Sequence, residues 1–283
     1  MIDAAALGIP ERFNAATYFV DRHVREGRGA RVAIACGDER VTYAQLLDRV
    51  NRCGSALIEH LGVRREERIA LLLLDGPAFF YAFFGAIKAG AVPIPTNTLW
   101  KSADYRYLLN DSRARVLVVS EELLPKIREI PHAEVPCLDH IVVAGASSVE
   151  APHVSFAALL DRGSPELEPV PTGRDDVAFW LYSSGSTGAP KGCVHLQHDM
   201  VLCAELFGKG VLGVCEDDRC FSVARLFFAY GLGNALFLPL AAGATSILSP
   251  ALSDAADRVC RDREAQADAA VLGAHRLWYG ARA

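Results

Sequence analysis

Apolar residues recur at helical spacing over 42–61, where Leu46, Leu47, Val50, Leu57, Ile58 and Leu61 mark one face and Gly62 a stop. An unbroken aliphatic run over 68–74 has the pattern of a strand covered on both faces. Pro77 opens a second helix that runs to Lys88 and stops at Gly90. A strand over 91–95, a helix over 103–110 and a strand over 115–119 continue the alternation, which 121–130 and 140–143 repeat. Further along, the pattern predicts a strand over 177–181, a helix near 199–207, a strand near 219–223, a helix near 232–241 and a strand over 244–248. Repeated βα units of this kind predict an α/β fold, doubly wound, with a largely parallel sheet and helices on its faces. The segment 149–172 is rich in proline, serine and acidic residues and reads as a surface connection with one short helix around 156–160.

Composition narrows the partners. A chain of 283 residues that is 51% hydrophobic can bury a sizeable core. A net charge of −5 argues against nucleic acid as the main partner, because phosphate contacts need clustered basic surface. Its eight cysteines form no C-x-x-C pair and no Cys/His zinc spacing, so they read as single thiols in a reducing cytosol. The apolar N-terminus has no basic region of the signal-peptide kind, and the most apolar segments, 69–74 and 79–87, are too short to span a bilayer. The expectation is a cytoplasmic protein that neither crosses a membrane nor binds nucleic acid.

Chemistry concentrates in one loop. Directly after the apolar run 177–181 comes Tyr182-Ser183-Ser184-Gly185-Ser186-Thr187-Gly188-Ala189-Pro190-Lys191-Gly192. Glycine-freed backbone N–H groups, hydroxyl donors and one ammonium together suit a polyphosphate. The spacing differs from the common phosphate loop, since Lys191 lies between Pro190 and Gly192 rather than before Ser or Thr. Further along, Phe227, Phe228 and Tyr230 cluster at a strand-to-helix junction and, taken by residue type alone, read as packing aromatics. His195 and His198 flank the post-loop strand; a lone histidine there is usually structural, and His195 is kept as a secondary candidate.

The full loop resembles the phosphate-binding loop of the acyl-adenylate-forming (AMP-binding) superfamily. Val41-Thr42-Tyr43-Ala44-Gln45-Leu46 and Lys88-Ala89-Gly90 through Pro95 resemble other elements of that family, in the expected order. Trp180-Leu181-Tyr182, Asp111–Val116, Ser164–Leu167 and Arg225–Asn234 resemble the benzoate-CoA ligase and aryl-CoA ligase branch, with Arg225 where relatives often carry lysine. The resemblance implies ATP-dependent activation of an aromatic carboxylate through an aryl-adenylate to its CoA thioester. Under it, Ser183, Ser184, Gly185, Ser186, Thr187, Gly188, Lys191 and Gly192 hold the ATP phosphates, with Lys191 in a supporting catalytic role. Ala229, Tyr230 and Gly231 line the aryl pocket. It further implies Mg²⁺ without a protein ligand in this chain, CoA as co-substrate, and self-association into a homodimer.

The resemblance divides the chain into a first subdomain over 1–172, the loop and pocket part over 173–249, and a tail over 250–283 unlike the family. Family segments expected downstream, a Tyr-Gly-x-Thr-Glu, a Thr-Gly-Asp and a later lysine-bearing loop, are not found in the sequence. The chain has 24 Arg against five Lys, the bias of a GC-rich gene, and a frameshift near Pro250 is the expectation. Codons for 274–279, read one base later, can encode the Pro-Thr-x-Tyr-Gly of aryl-CoA ligases. The expectation is therefore a catalytically incomplete chain. Two alternatives remain: a non-catalytic remnant that binds a nucleotide or partner, and an adenylating enzyme for another acid.

Overall fold

In a computed structural model of the chain, residues 4–146, 148–183 and 189–249 and the backbone of 277–279 are described. The strands are β1 Val32–Cys36, β2 Glu39–Thr42, β3 Arg68–Leu72, β4 Val92–Pro95, β5 Val116–Ser120, β6 His140–Ala144 and β7 Val154–Ser155. They continue with β8 Val177–Ser183, β9 Lys191–Leu196, β10 Arg219–Phe221, β11 Thr245–Leu248 and β12 Leu277–Tyr279. One sheet has the order β4-β3-β5-β6-β7, with every pair parallel. Strands β3 and β5 are buried almost throughout, which is why their sequences are unbroken aliphatic runs. A second sheet, β12-β10-β11-β1-β2, is parallel except for the β1–β2 hairpin. Strands β8 and β9 form a separate antiparallel ribbon, with β8 beside β4.

The long helix Tyr43–Glu59 starts where its sequence says it should. Gln45 N–H donates to Thr42 Oγ1 and Thr42 N–H donates back to Gln45 Oε1, so two otherwise orphaned donors are satisfied. Its neighbour, helix Pro77–Lys88, is apolar on nearly every side and almost wholly buried. The two cross where neither has a side chain: a Cβ on Gly54 would lie 2.9 Å from Gly85 O, and one on Gly85 would lie 2.9 Å from Cys53 Sγ. At the end of the second helix, the buried Lys88 ammonium pairs with Asp21 and donates to Asn51 Oδ1 at 2.6 Å. Gly90, at φ +74°, then turns the chain into β4.

The segment read as a surface connection is tied down along helix Tyr43–Glu59. Asn51 Nδ2 donates to Pro165 O at 2.7 Å, Ser55 Oγ donates to Ser164 O, and Val170 N–H donates to Lys88 O. A Cβ at Gly163 would sit 2.0 Å from Arg52 O, so the two backbones touch. The 250–283 tail lies outside the described residues, save for the backbone of β12, which pairs parallel to β10.

Candidate functional site

The β8–β9 ribbon carries the hydroxyl-rich loop between two strands whose ends are in register. Ser183 pairs with Lys191 and Tyr182 with Gly192. Ser184, Gly185, Ser186, Thr187 and Gly188 lie outside the described residues. Ser183 and Lys191 are exposed, and Lys191 has no ion-pair partner among the described residues, so its charge is free for a ligand. Gly192 belongs to β9 rather than to the loop tip, and a Cβ there would meet Trp180 at 3.3 Å and Tyr182 at 3.4 Å. Tyr182 is anchored: its hydroxyl donates to Asp111 Oδ2 at 2.6 Å. Burial and that carboxylate hold its pKa far above the usual phenol range. The base of the loop is therefore fixed to helix Ser102–Ser112.

The candidate aryl segment sits beyond the carboxyl ends of β10 and β11, the edge where parallel α/β sheets place ligands. Two buried charges fix it. Asp75, just past β3, accepts the Leu226 N–H at 3.1 Å, and its other oxygen lies 3.6 Å from the Arg225 guanidinium. Arg225 also donates to Ser249 O, past the end of β11. Asp75, Ser222, Ala224 and Ser249 line a small cleft at this edge. Asp75 was missed in the sequence, although an acid directly after a buried strand and before a helix-opening Pro77 was a usable signal.

A helix starts at Ala229, earlier than the sequence pattern gave, with Phe228 as its N-cap. Gly231 is required by backbone contact, since a Cβ there would lie 2.0 Å from Arg225 O. Tyr230 is 45% exposed, while Phe227 is buried as a packing residue. Phe228 departs from the packing role expected of it: it is 46% exposed, its ring 4.2 Å from that of Phe227. Helix capping puts Phe228 in extended backbone and turns its side chain outward. Ala229 and Tyr230 thus present a small and a flat aromatic side chain on one clamped turn, while the loop and Lys191 belong to the ribbon.

His195 is held within the ribbon. It pairs with Phe179 across the ribbon, stacks on that ring at 4.5 Å, and lies 3.5 Å from Asp199. Burial raises the Asp199 pKa, but hydrogen bonds from His195 and from Leu196 N–H outweigh it and hold the carboxyl below its usual range. His198 is likewise engaged, by Arg174 O and by Asp175 and Asp199. Among the described residues no group of three or more His, Cys, Asp or Glu could hold a metal ion.

A family model described as AMP-binding enzyme matches residues 20–274. The chain is 51% identical over 243 residues to a benzoate–CoA ligase of Thauera aromatica, covering 86% of this chain and 45% of that protein. It is 46% identical over 238 residues to a 4-hydroxybenzoate–CoA/benzoate–CoA ligase of Rhodopseudomonas palustris, covering 84% of this chain and 43% of that protein. The solved structure of the anthranilate CoA ligase AuaEII with anthranoyl-AMP superposes with a TM-score of 0.85 at 38% identity, over 89% of this chain and 48% of that one. The chain spans less than half the length of these relatives. With its ordered motifs, its fold and these matches in agreement, the chain belongs to the AMP-binding enzyme family.

Proposed function

We propose that this chain supplies the phosphate-holding loop and the aryl pocket of an enzyme that activates a benzoate-like acid with ATP. The carboxylate attacks the ATP α-phosphate, giving an aryl-adenylate and pyrophosphate; the CoA thiolate then displaces AMP and forms the thioester. Residues 183–188, with Lys191 and Gly192, hold the β- and γ-phosphates, and Lys191 steadies the leaving pyrophosphate. Ala229, Tyr230 and Gly231 form the ring site. In this reading 1–172 is the first subdomain, 173–249 carries the site, and 250–283 is the tail. Self-association as a homodimer and a cytoplasmic location belong to the same reading; among the described residues no helix is long and apolar enough to cross a membrane. Magnesium would arrive on the phosphates. The described residues offer no cluster to hold it, and no step is routed through it.

The observation that carries this reading is the register of Ser183 with an exposed, unpaired Lys191 at the base of the loop. Calorimetric titration of the chain with Mg–ATP tests it. Lys191→Ala is expected to weaken binding about tenfold, the worth of one charge-assisted contact; unchanged binding would count against the loop assignment.

A second reading, a module that binds a nucleotide or partner without catalysis, is favoured by one apolar row. Leu206, Phe207 and Val211, on and just beyond the helix Asp199–Cys203 and its continuation Ala204–Lys209, are all exposed. Benzoate-dependent ATP–pyrophosphate exchange by the 283-residue chain itself would overturn it. A third, adenylation of another acid, is separated by the acids that support exchange.

A further inference from the structure

Against the sheet β4-β3-β5-β6-β7, lined by no residue of the ribbon, lies an apolar cavity of about 190 Å³. Its floor is made by Leu109, Leu124, Ile127, Val135 and Leu138, all buried in the core on that face of the sheet. Ile130 and Ile141, only partly buried, form the walls. The mouth is different in kind: Arg128 and His132 are exposed there, and His153 is half-buried.

The charge at the mouth is unbalanced. Arg128 has no ion-pair or hydrogen-bond partner among the described residues. Among the described residues no acid lines the cavity: Glu129 is engaged by the Ser102 hydroxyl and Glu134 by Arg106, and Glu121 and Glu122, on the turn that leads into the helix Leu124–Arg128, are not among its lining residues. Glu150 acts on His153, but burial and the Arg128 charge outweigh it and lower the His153 pKa. That imidazole is therefore a neutral hydrogen-bonding group at neutral pH.

Size completes the specification. A dry cavity of roughly 150 Å³ lined by aliphatic side chains admits one benzene ring, so this one fits a single six-membered ring. We propose that the cavity binds a monocarboxylic acid with a compact, ring-sized apolar body, its carboxylate held at the mouth by Arg128 and the two histidines. The site is separate from Tyr230 and independent of the reading of the ribbon and aryl segment.

Cyclohexanecarboxylate is a suitable probe because its puckered ring is a poor match for a flat aryl slot. Titrated into the chain labelled at isoleucine methyl groups, it is expected to shift Ile127, Ile130 and Ile141 saturably. Arg128→Ala, at an exposed position that leaves the fold alone, is expected to weaken binding roughly threefold to fivefold. Ile141→Phe fills the cavity and is expected to abolish the shifts, while Tyr230→Ala leaves them unchanged. Cyclohexanecarboxamide is expected to bind more weakly than the acid. The proposal is overturned if no saturable shift appears at these methyls, if the amide binds as tightly as the acid, or if Arg128→Ala has no effect.

Discussion

His23 is fully buried with both ring nitrogens engaged: Nε2 donates to Leu240 O at 2.6 Å, and Nδ1 accepts from Arg28 Nε at 3.0 Å. That pairing specifies the neutral ring. Burial, and then the charges of Arg22 and Arg28, lower its pKa from 6.5 to about 4. Between those values the unfolded chain takes a proton that the folded protein refuses. The His23 contribution to stability is therefore whole above pH 6.5 and is lost as the pH falls toward 4. The slope approaches about 1.4 kcal/mol per pH unit. Urea denaturation across this window checks it, and His23→Gln, which preserves a donor and an acceptor, is expected to flatten that part of the profile. Gly231 makes a steric prediction at the same scale. Its Cβ position is occupied by the Arg225 carbonyl, so Gly231→Ala is expected to cost about 1–3 kcal/mol on the same assay.

Among the elements, the helix Tyr43–Glu59 offers two separable tests. Thr42→Ala removes the capping box and is expected to cost about 1 kcal/mol. Gly54→Ala drives a methyl toward Leu167 and Gly85 O, at an expected cost of about 1–3 kcal/mol. Adding Leu167→Ala relieves only the first clash, so the double variant is expected to stay destabilised. Elements whose signals are local were legible in the sequence: this helix through its cap and periodicity, Pro77–Lys88 through Pro77 and Gly90, and β3 and β5 through their aliphatic runs. Strands β1, β2 and β7 were not. Strand β2, Glu-Arg-Val-Thr, is a half-exposed edge and β7 has only two residues, so neither carries a hydrophobic pattern. Strand β1, Val-Ala-Ile-Ala-Cys, is buried at its centre, but its small alanines give a short run no marked period. Phe228 was misread for a related reason, since residue type cannot show that a helix cap turns a phenylalanine outward.

Across the whole molecule, the candidate site depends on contacts between segments far apart in sequence. Asp75 and Leu226 are separated by 151 positions, and nothing local to either residue announces the pairing. The motif residues were legible because a contiguous loop carries them, whereas the clamp that orients Tyr230 emerged only from the fold. Asp75→Ala removes a buried carboxylate used by both Arg225 and Leu226 N–H, and is expected to cost about 3 kcal/mol. Asp75→Asn keeps an acceptor for Leu226 and is expected to cost less. The most direct test of the central claim is ATP–pyrophosphate exchange by a chimera that joins residues 1–249 to the downstream half of a benzoate–CoA ligase, assayed with benzoate, acetate and hexanoate. The prediction is exchange with benzoate in clear preference to both alkanoates, cut about tenfold or more by Lys191→Ala and by Tyr230→Ala. A folded chimera that exchanges with alkanoates but not benzoate, or that is indifferent to both substitutions, would contradict it.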